Sequence, residues 1–334
     1  MTSRRIQFLF RCLVSAGLIA FILRKVDWRA LGATLDRVDF RWALSGVALT
    51  FFMIVLLNAR WQLFLKQQQL EVRFSAIFGL IWAGQFFNSI LPGSTGGDVV
   101  KIYQLCRLFP ERKAAVAASV VADRLTALII LLLLGGFGFL LQPVPLQAVL
   151  QKRPDTQAVI TWGAGLAALG AITAWIVWRF LRSSMLAGKI RRILNGVRQC
   201  FSFNRRLATA ILYAFVLHVV NFSIVFLFGR SLGLTLTYGQ VLCMMPVILL
   251  VVMIPVTING HGLREILYIS YFGAMGVSIA QHPEVRVQDL AVALSILVVA
   301  NDLLWSVPGG IWYFLNFRAR PPSPANPNGS RILS

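Results

Sequence analysis

Long apolar runs separated by short polar links dominate this chain, and their lengths match the thickness of a lipid bilayer. A helix needs about 20 mostly apolar residues to cross the hydrocarbon core. Two further apolar stretches, 77–105 and 241–276, could enter a bilayer, but each is interrupted near its middle. The sequence therefore predicts an all-α polytopic membrane protein with two re-entrant broken-helix hairpins and about six full spans, at 6–23, 42–64, 114–141, 159–181, 207–229 and 290–317.

Composition supports a membrane protein and argues against nucleic-acid binding. Hydrophobic residues make up 57% of the chain and charged residues only 13%, which is unlike a soluble domain. The formal net charge is +20, but the basic residues flank apolar runs and do not form a basic face with interleaved aromatic residues. We expect this charge to set membrane orientation and to attract anionic lipid headgroups.

The positions of the basic residues predict the orientation of the chain. The link 179–206 contains eight basic residues and no acidic residue, so it should be cytoplasmic. Both termini also carry arginines and should lie on the same side of a bacterial inner membrane. We expect one membrane domain, 1–319, with its halves meeting in this link, and a disordered proline-rich tail, 320–334. The two hairpins would then enter from opposite sides, as in an inverted-topology repeat.

The first interruption combines a helix break with groups that could bind an anion. Glycines let backbone N–H groups converge at a helix start, where phosphate binds readily, and a lysine one turn later adds positive charge. The aspartate could cap the helix, pair with a cation, meet an ammonium group or carry a proton. An ordinary tight turn is the structural alternative. The candidate residues are Asn88, Pro92, Gly93, Ser94, Thr95, Gly96, Gly97, Asp98 and Lys101.

The second interruption repeats this logic in the other half of the chain. Its arginine could bind phosphate bidentately and its glutamate could orient the ligand or carry a proton, although the two could equally form a bracing ion pair. Its histidine could titrate near neutral pH. The candidates are Asn259, Gly260, His261, Gly262, Arg264 and Glu265.

Three ionisable residues lie deep inside predicted spans, where such groups usually face a cavity or a partner. Asp123 and Arg124 are neighbours, and Asp302 occupies a similar depth in the last span. Because adjacent helical residues point about 100° apart, we expect Asp123 and Arg124 to serve different partners, one on each hairpin. A structural interhelical ion pair is the alternative. The segments 120–125 and 298–303 are weakly similar, which favours a repeat.

Several signals are absent from the sequence, and their absence argues against an enzyme. There is no nucleotide-binding P-loop, no nucleophile elbow and no zinc-protease motif. His and Cys residues lack metal-ligand spacing, so we expect neither metal nor cofactor. The four cysteines stand far apart, and we interpret them as free thiols: Cys12, Cys106, Cys200 and Cys243.

Three motifs resemble the lysylphosphatidylglycerol synthase transmembrane-region family, the flippase-like membrane part of the multiple peptide resistance factor, which also occurs as stand-alone proteins. They lie at 88–101, 120–125 and 255–265, and the resemblance covers about residues 11–317. It implies a protein that moves a lipid between membrane leaflets. The aminoacyl-transferase domain of full-length members has no counterpart here, so lipid synthesis is not carried over. His261 departs from the small or apolar residue that we would expect.

The expected function is therefore that of a lipid flippase for an anionic, polyprenyl-phosphate, aminoacylated or hopanoid lipid. The headgroup would occupy a polar crevice between the hairpins. An alternative is a non-transporting membrane partner that regulates a lipid- or envelope-modifying enzyme through the basic link. An intramembrane enzyme is a third, but no nucleophile–base pair accompanies the buried acids. The sequence leaves the lipid, the direction, the energy source and the oligomeric state open, a homo-oligomer included.

Overall fold

Helices account for nearly all of the regular structure in the described part of the protein. The computed structural model describes residues 32, 38–90, 96–141, 184–253, 260, 262–279 and 285–317. A short 3-10 turn, Pro110–Arg112, precedes the fourth helix. The helices are α1 (Phe40–Gln67), α2 (Phe74–Ile90), α3 (Gly96–Leu108), α4 (Lys113–Leu141), α5 (Ser184–Cys200), α6 (Arg205–Ser231), α7 (Tyr238–Val252), α8 (Leu263–Met275) and α9 (Val287–Phe317).

Four of the described helices are long and apolar enough to cross a bilayer, with mean hydropathies of 1.9 to 2.3. Large apolar side chains on them point outward, such as Leu140, which is 80% exposed, and Leu315, which is 71% exposed. Lipid is the solvent that such surfaces require, so this is a multi-pass membrane protein. The predicted spans 42–64, 114–141, 207–229 and 290–317 are confirmed as helices, while 6–23 and 159–181 lie outside the described residues.

Both predicted interruptions are present. The first apolar segment forms α2 and α3, with helix ending at Ile90 and restarting at Gly96. The second forms α7 and α8, with helix ending at Val252 and restarting at Leu263. The 17 residues of α2 and 15 of α7 reach only about 25 Å and 22 Å, short of the roughly 30 Å hydrocarbon core. Neither arm can cross the bilayer alone, as expected for re-entrant hairpins.

The packing of the helices has a twofold pattern that matches the predicted repeat. If α1–α4 form one half and α6–α9 the other, equivalent contacts recur: α2 packs on α9 as α7 packs on α4, and α3 packs on α4 as α8 packs on α9. The equivalent helices α1 and α6 pack antiparallel. The amide of Asp39 donates to the carbonyl of Ser231 at 2.8 Å, and Gln67 Nε2 donates to Asn204 Oδ1 at 3.0 Å. Antiparallel equivalent helices are what an inverted-topology repeat requires.

Each half has its own apolar core. Side chains of α1, α2, α3 and the start of α4 form one cluster, in which Leu65, Ile77 and Leu105 are fully buried. A larger cluster joins α6–α9 to the second part of α4, around Phe228 and Tyr268. The two cores leave a cavity between them, which is where the candidate site lies.

The basic link contains a helix that the sequence analysis did not predict. The helix α5 is amphipathic, with Gly196 and Cys200 buried and Arg191, Arg192 and Arg198 exposed. It packs on α4 and α1. Gln68 Nε2 holds it by donating to the carbonyl of Gly196 at 2.9 Å. The charges of Arg191, Arg192 and Arg198 are therefore displayed on one exposed face of this helix.

Candidate functional site

A cavity of about 370 Å³ lies between the two halves, lined by charged, polar and apolar residues from both of them. Helices α1, α2, α3 and α4 contribute to its wall together with α6, α7, α8 and α9. Six of the candidates chosen from the sequence line it, namely Asn88, Lys101, Asp123, Arg124, Arg264 and Asp302. The structure thus brings the two interrupted segments and the deep charges to one place.

The carboxylate of Asp98 joins the first hairpin to α4. Its Oδ1 accepts from Lys101 Nζ at 3.0 Å and its Oδ2 accepts from Arg124 Nε at 2.5 Å. Lys101 also lies 5.4 Å from the centre of the Trp61 ring, a cation–π contact. Asp98 stands behind the cavity wall and positions two cations that line the cavity. Of the roles considered for it, pairing with Lys101 and an arginine is confirmed.

Asp123 pairs with Arg60 of α1 in a bidentate, buried arrangement. Arg60 Nε lies 2.7 Å from Asp123 Oδ1, and Nη2 lies 3.0 Å from Oδ2. Such fork-like pairs are the strongest charge-assisted hydrogen bonds. The prediction that Asp123 and Arg124 serve different partners is confirmed, and Arg124 does contact the first hairpin. The prediction that Asp123 would reach the second hairpin is wrong, because α1 places a guanidinium closer to it.

Arg264 enters the cavity from the start of α8 and is not tightly paired. It lies 3.9 Å from Glu265 Oε1 and 4.0 Å from Asp302 Oδ2, beyond hydrogen-bonding distance. Glu265 is occupied elsewhere: its Oε1 accepts from Ser295 Oγ at 2.5 Å and its Oε2 from the amide of Gly262 at 2.6 Å. The Arg264–Glu265 ion pair, the structural alternative, is present at 3.9 Å but without a hydrogen bond.

Two of the four glycines at the helix starts have backbone amides that already donate to side chains of this protein. The amide of Gly97 already donates to Asn88 Oδ1 at 2.7 Å, and the amide of Gly262 already donates to Glu265. Neither glycine lines the cavity, and the same holds for Gly96 and Gly260. A Cβ added at Gly97 would overlap the carbonyl of Gly84, so this glycine permits close packing of α2 on α3. Positive charge in the cavity comes from side chains.

Some candidates fall on segments that the structure does not describe. These are Pro92, Gly93, Ser94 and Thr95 in the first interruption, and Asn259 and His261 in the second. Their proposed roles stay predictions. Among the described residues, no group of three His, Cys, Asp or Glu side chains could hold a metal ion.

Comparison with known proteins agrees with the resemblance seen in the motifs. The profile of the "Lysylphosphatidylglycerol synthase TM region" family matches residues 8–282. The chain belongs to this family. It is also 24% identical over 317 residues to a UPF0104 membrane protein of Pyrococcus horikoshii, an alignment that covers 86% of this chain and 93% of that protein. Membership implies a role connected with membrane lipids.

In this member of the family, several cavity residues were missed by sequence reasoning. Arg60 lies near the end of its predicted span, where a basic residue resembles an ordinary flanking charge. His218 and Asn221 are polar residues inside a predicted span, a signal that could have found them. His218 Nε2 lies 2.9 Å from the carbonyl of Ala127. Tyr268, fully buried beside Arg264, gave no sequence signal beyond an aromatic residue in an apolar run.

The cavity wall is stiffened by an aromatic cluster joining α1, α2 and α9. Trp305 Nε1 donates to the carbonyl of Val47 at 3.1 Å, and the Trp82 indole donates to the carbonyl of Trp305. Phe51 packs against Trp305 with ring centres 5.5 Å apart. These contacts hold the last span of the second half against the first half beside the cavity.

Proposed function

We propose that this protein is a lipid flippase or translocase that carries a phosphate-bearing lipid headgroup through the cavity between its two halves. The proposal rests on one observation, which is that both halves place basic side chains at a membrane-embedded cavity. These are Arg60, Lys101 and Arg124 from the first half and Arg264 from the second. A charged headgroup in the centre of a bilayer costs several kcal/mol even on lenient scales. A cavity with preformed charges offsets that cost, while the acyl chains stay in the lipid.

The size of the cavity suits this role. At about 370 Å³ it falls at the lower end of the roughly 300–1000 Å³ range of small-molecule sites, enough for a phosphate with a small polar substituent. Hydrocarbon chains need no protein enclosure, because the outward faces of the spans are already apolar. The protein would bind no cofactor and would carry out no covalent step.

Membrane placement follows from the same proposal. We place the protein in a bacterial cytoplasmic membrane, with α5 and both termini on the cytoplasmic side. The exposed arginines of α5 would contact anionic headgroups there, each contributing about 1 kcal/mol of attraction. Movement of the lipid would run downhill or be coupled to ions or protons, and the candidates for coupling are Asp98, Asp123, Glu265 and Asp302.

Reconstitution tests the proposal. The purified protein is placed in liposomes containing tail-labelled lipids, and dithionite quenching reports how fast inner-leaflet probe reaches the outside. Wild-type protein should accelerate exchange, and Arg124→Ala or Arg264→Ala should return the rate close to that of empty vesicles. Arg205→Gln, an exposed basic residue at the start of α6, is the matched control and should keep the wild-type rate.

A measurement of the same variants in cells, beside this assay, separates transport from the regulatory alternative. If the protein only anchors an enzyme through its basic helix, neutralising Arg191, Arg192 and Arg198 should abolish its cellular effect, and the cavity variants should not. Wild-type rates equal to empty vesicles, for phosphatidylglycerol, phosphatidylethanolamine and polyprenyl-phosphate probes alike, would reject the flippase.

A further inference from the structure

Two charged groups at the cavity lack a hydrogen-bonded partner among the described residues. Arg264 is only 8% exposed, yet its Nε and Nη2 atoms have no hydrogen-bond acceptor among the described residues. Its nearest carboxylate, Glu265, is already engaged by Ser295 and by the amide of Gly262. Asp302 lies 4.0 Å from Arg264 Nη1, and its side chain is 43% exposed. A buried guanidinium without an acceptor is costly, so an entering anion would be bound there.

The remaining cavity charges contrast with this loose pair. Arg60 is matched by Asp123, and Lys101 and Arg124 share Asp98, all at hydrogen-bonding distance. A headgroup could form full ion pairs with these residues only by breaking the ion pairs that they already make. No hydrogen bond joins Arg264 to Asp302, so a headgroup can bind both without breaking one.

The cavity and its immediate supports are electrically balanced. Within the described residues, four cations face four carboxylates: Arg60, Lys101, Arg124 and Arg264 against Asp98, Asp123, Glu265 and Asp302. A headgroup carrying one phosphate alone would leave an unbalanced negative charge in a low-dielectric site. A headgroup carrying one phosphate and one ammonium group keeps the balance at zero.

We propose that the transported lipid has a zwitterionic headgroup, with its phosphate bound by Arg264 and its ammonium group bound by Asp302. The inference rests on the flippase function proposed above and narrows its substrate. A two-carbon link, as in ethanolamine phospholipids, separates ammonium from phosphate by a few ångströms, comparable to the 4.0 Å between the two protein groups. The headgroup would lie alongside the two protein groups, with its phosphate against Arg264 and its ammonium group against Asp302, and complete two hydrogen-bonded ion pairs.

Competing probes in one membrane test this inference. Vesicles are made from equal parts phosphatidylethanolamine and phosphatidylglycerol, with tail-labelled versions of each lipid as probes, so that the unlabelled competitors are matched. Wild-type protein should translocate the ethanolamine probe about tenfold faster than the glycerol probe, equivalent to about 1.4 kcal/mol. Asp302→Asn should bring this ratio close to one by slowing the ethanolamine probe. Arg264→Gln should slow both probes.

Two further variants guard against loss of folding. Asp302→Glu retains the carboxylate and should keep the preference, and Glu71→Gln, an exposed acid outside the cavity, should leave both rates unchanged. Equal rates for the two probes, or a faster glycerol probe, would overturn the zwitterionic substrate and leave the flippase function standing. Loss of both probes in wild type would overturn the flippase function itself.

Discussion

At the scale of single residues, the buried ion pair of Arg60 and Asp123 shows why partners in a membrane cavity matter more than individual charges. Both side chains are almost fully covered, at 5% and 14% exposure. Removing one partner strands the other without compensation, whereas replacing both by apolar groups can be nearly neutral. Arg60 and Asp123 therefore stabilise the α1–α4 contact only when both are present.

This asymmetry gives a prediction for stability. Arg60→Met or Asp123→Leu alone should each destabilise the protein by about 3–5 kcal/mol, and the double variant should lose clearly less. The midpoint of thermal unfolding in detergent, followed by fluorescence-detected size exclusion, measures the effect. Arg205, exposed at the start of α6, provides the control substitution Arg205→Met. A double variant as unstable as the sum of the singles would show that the two residues act separately.

A second residue-scale prediction concerns the thiol of Cys200, which lies outside the spans at the end of α5. Burial raises the pKa of this thiol from 9.0 to about 11, against the smaller opposite effect of the Gln68 hydrogen bond. The folded state therefore favours the protonated thiol. The buried, protonated thiol therefore makes its full contribution to folding stability below about pH 9. This contribution is lost as the pH rises towards 11.

Thermal unfolding of wild type and Cys200→Ser at pH 8 and pH 11 checks this pH dependence, and maleimide labelling at neutral pH checks the burial of the thiol. With the other cysteines replaced by serine, Cys200 should remain unlabelled in the folded protein and become labelled in denaturant. Gln68→Ala removes a donor that holds α5 in place and should expose the thiol. Full labelling of folded wild-type protein would contradict the docked position of α5.

At the scale of elements, glycines determine how closely the hairpin arms approach the opposite half. A Cβ added at Gly138 of α4 would overlap the backbone of Leu242 in α7, and one at Gly309 of α9 would overlap the backbone of Trp82 in α2. The two contacts join equivalent pairs of helices in the two halves. By contrast, a Cβ at Gly136 meets open space.

Alanine substitutions test this pattern with a matched control two residues away. Gly138→Ala and Gly309→Ala should each destabilise the protein by about 1–3 kcal/mol through overpacking. Gly136→Ala should be neutral or stabilise by up to about 1 kcal/mol, because alanine favours helix. Unfolding midpoints in one detergent provide the comparison. Similar losses for all three variants would show that helix flexibility matters here and close approach does not.

The sequence predicted the helix breaks correctly because each break is caused by residues that lie at the break itself. The break before Gly96 coincides with a Pro-Gly pair, and the break before Leu263 contains glycines with positive φ of 74° and 88° at Gly260 and Gly262. Helix α5 was missed although Ile190, Ile193 and Val197 recur at helical spacing, because its many arginines suggested only a charged link. The pairing of Asp123 with Arg60 depends on how α1 packs, which no local pattern contains.

At the scale of the whole molecule, the antiparallel packing of α1 and α6 fixes which ends share a membrane face. The start of α1 lies beside the end of α6, and the end of α1 lies beside α5 and the start of α6. The 27 residues of α6 extend about 40 Å, enough to separate the two faces fully. Phe203 and Thr235, both exposed, therefore mark opposite faces.

Orientation can be measured at these two positions. In a cysteine-free background, Phe203→Cys should react with impermeant maleimide only from the cytoplasmic side, and Thr235→Cys only from the opposite side. Intact cells expose the outer face of the membrane to the maleimide, and inside-out vesicles expose the cytoplasmic face. Labelling of both positions from one side would contradict a membrane-spanning α6, and the reverse assignment would invert the orientation predicted from charge.

The antiparallel α1–α6 pair has a consequence for how the protein could work through a cycle. Because the two helices run in opposite directions and carry equivalent neighbours, a shape adopted by one half on one side of the membrane can be adopted by the other half on the other side. If the two halves exchange their conformations, the opening of the central cavity moves from one side of the membrane to the other. Each conformation is then approximately the inverted image of the other.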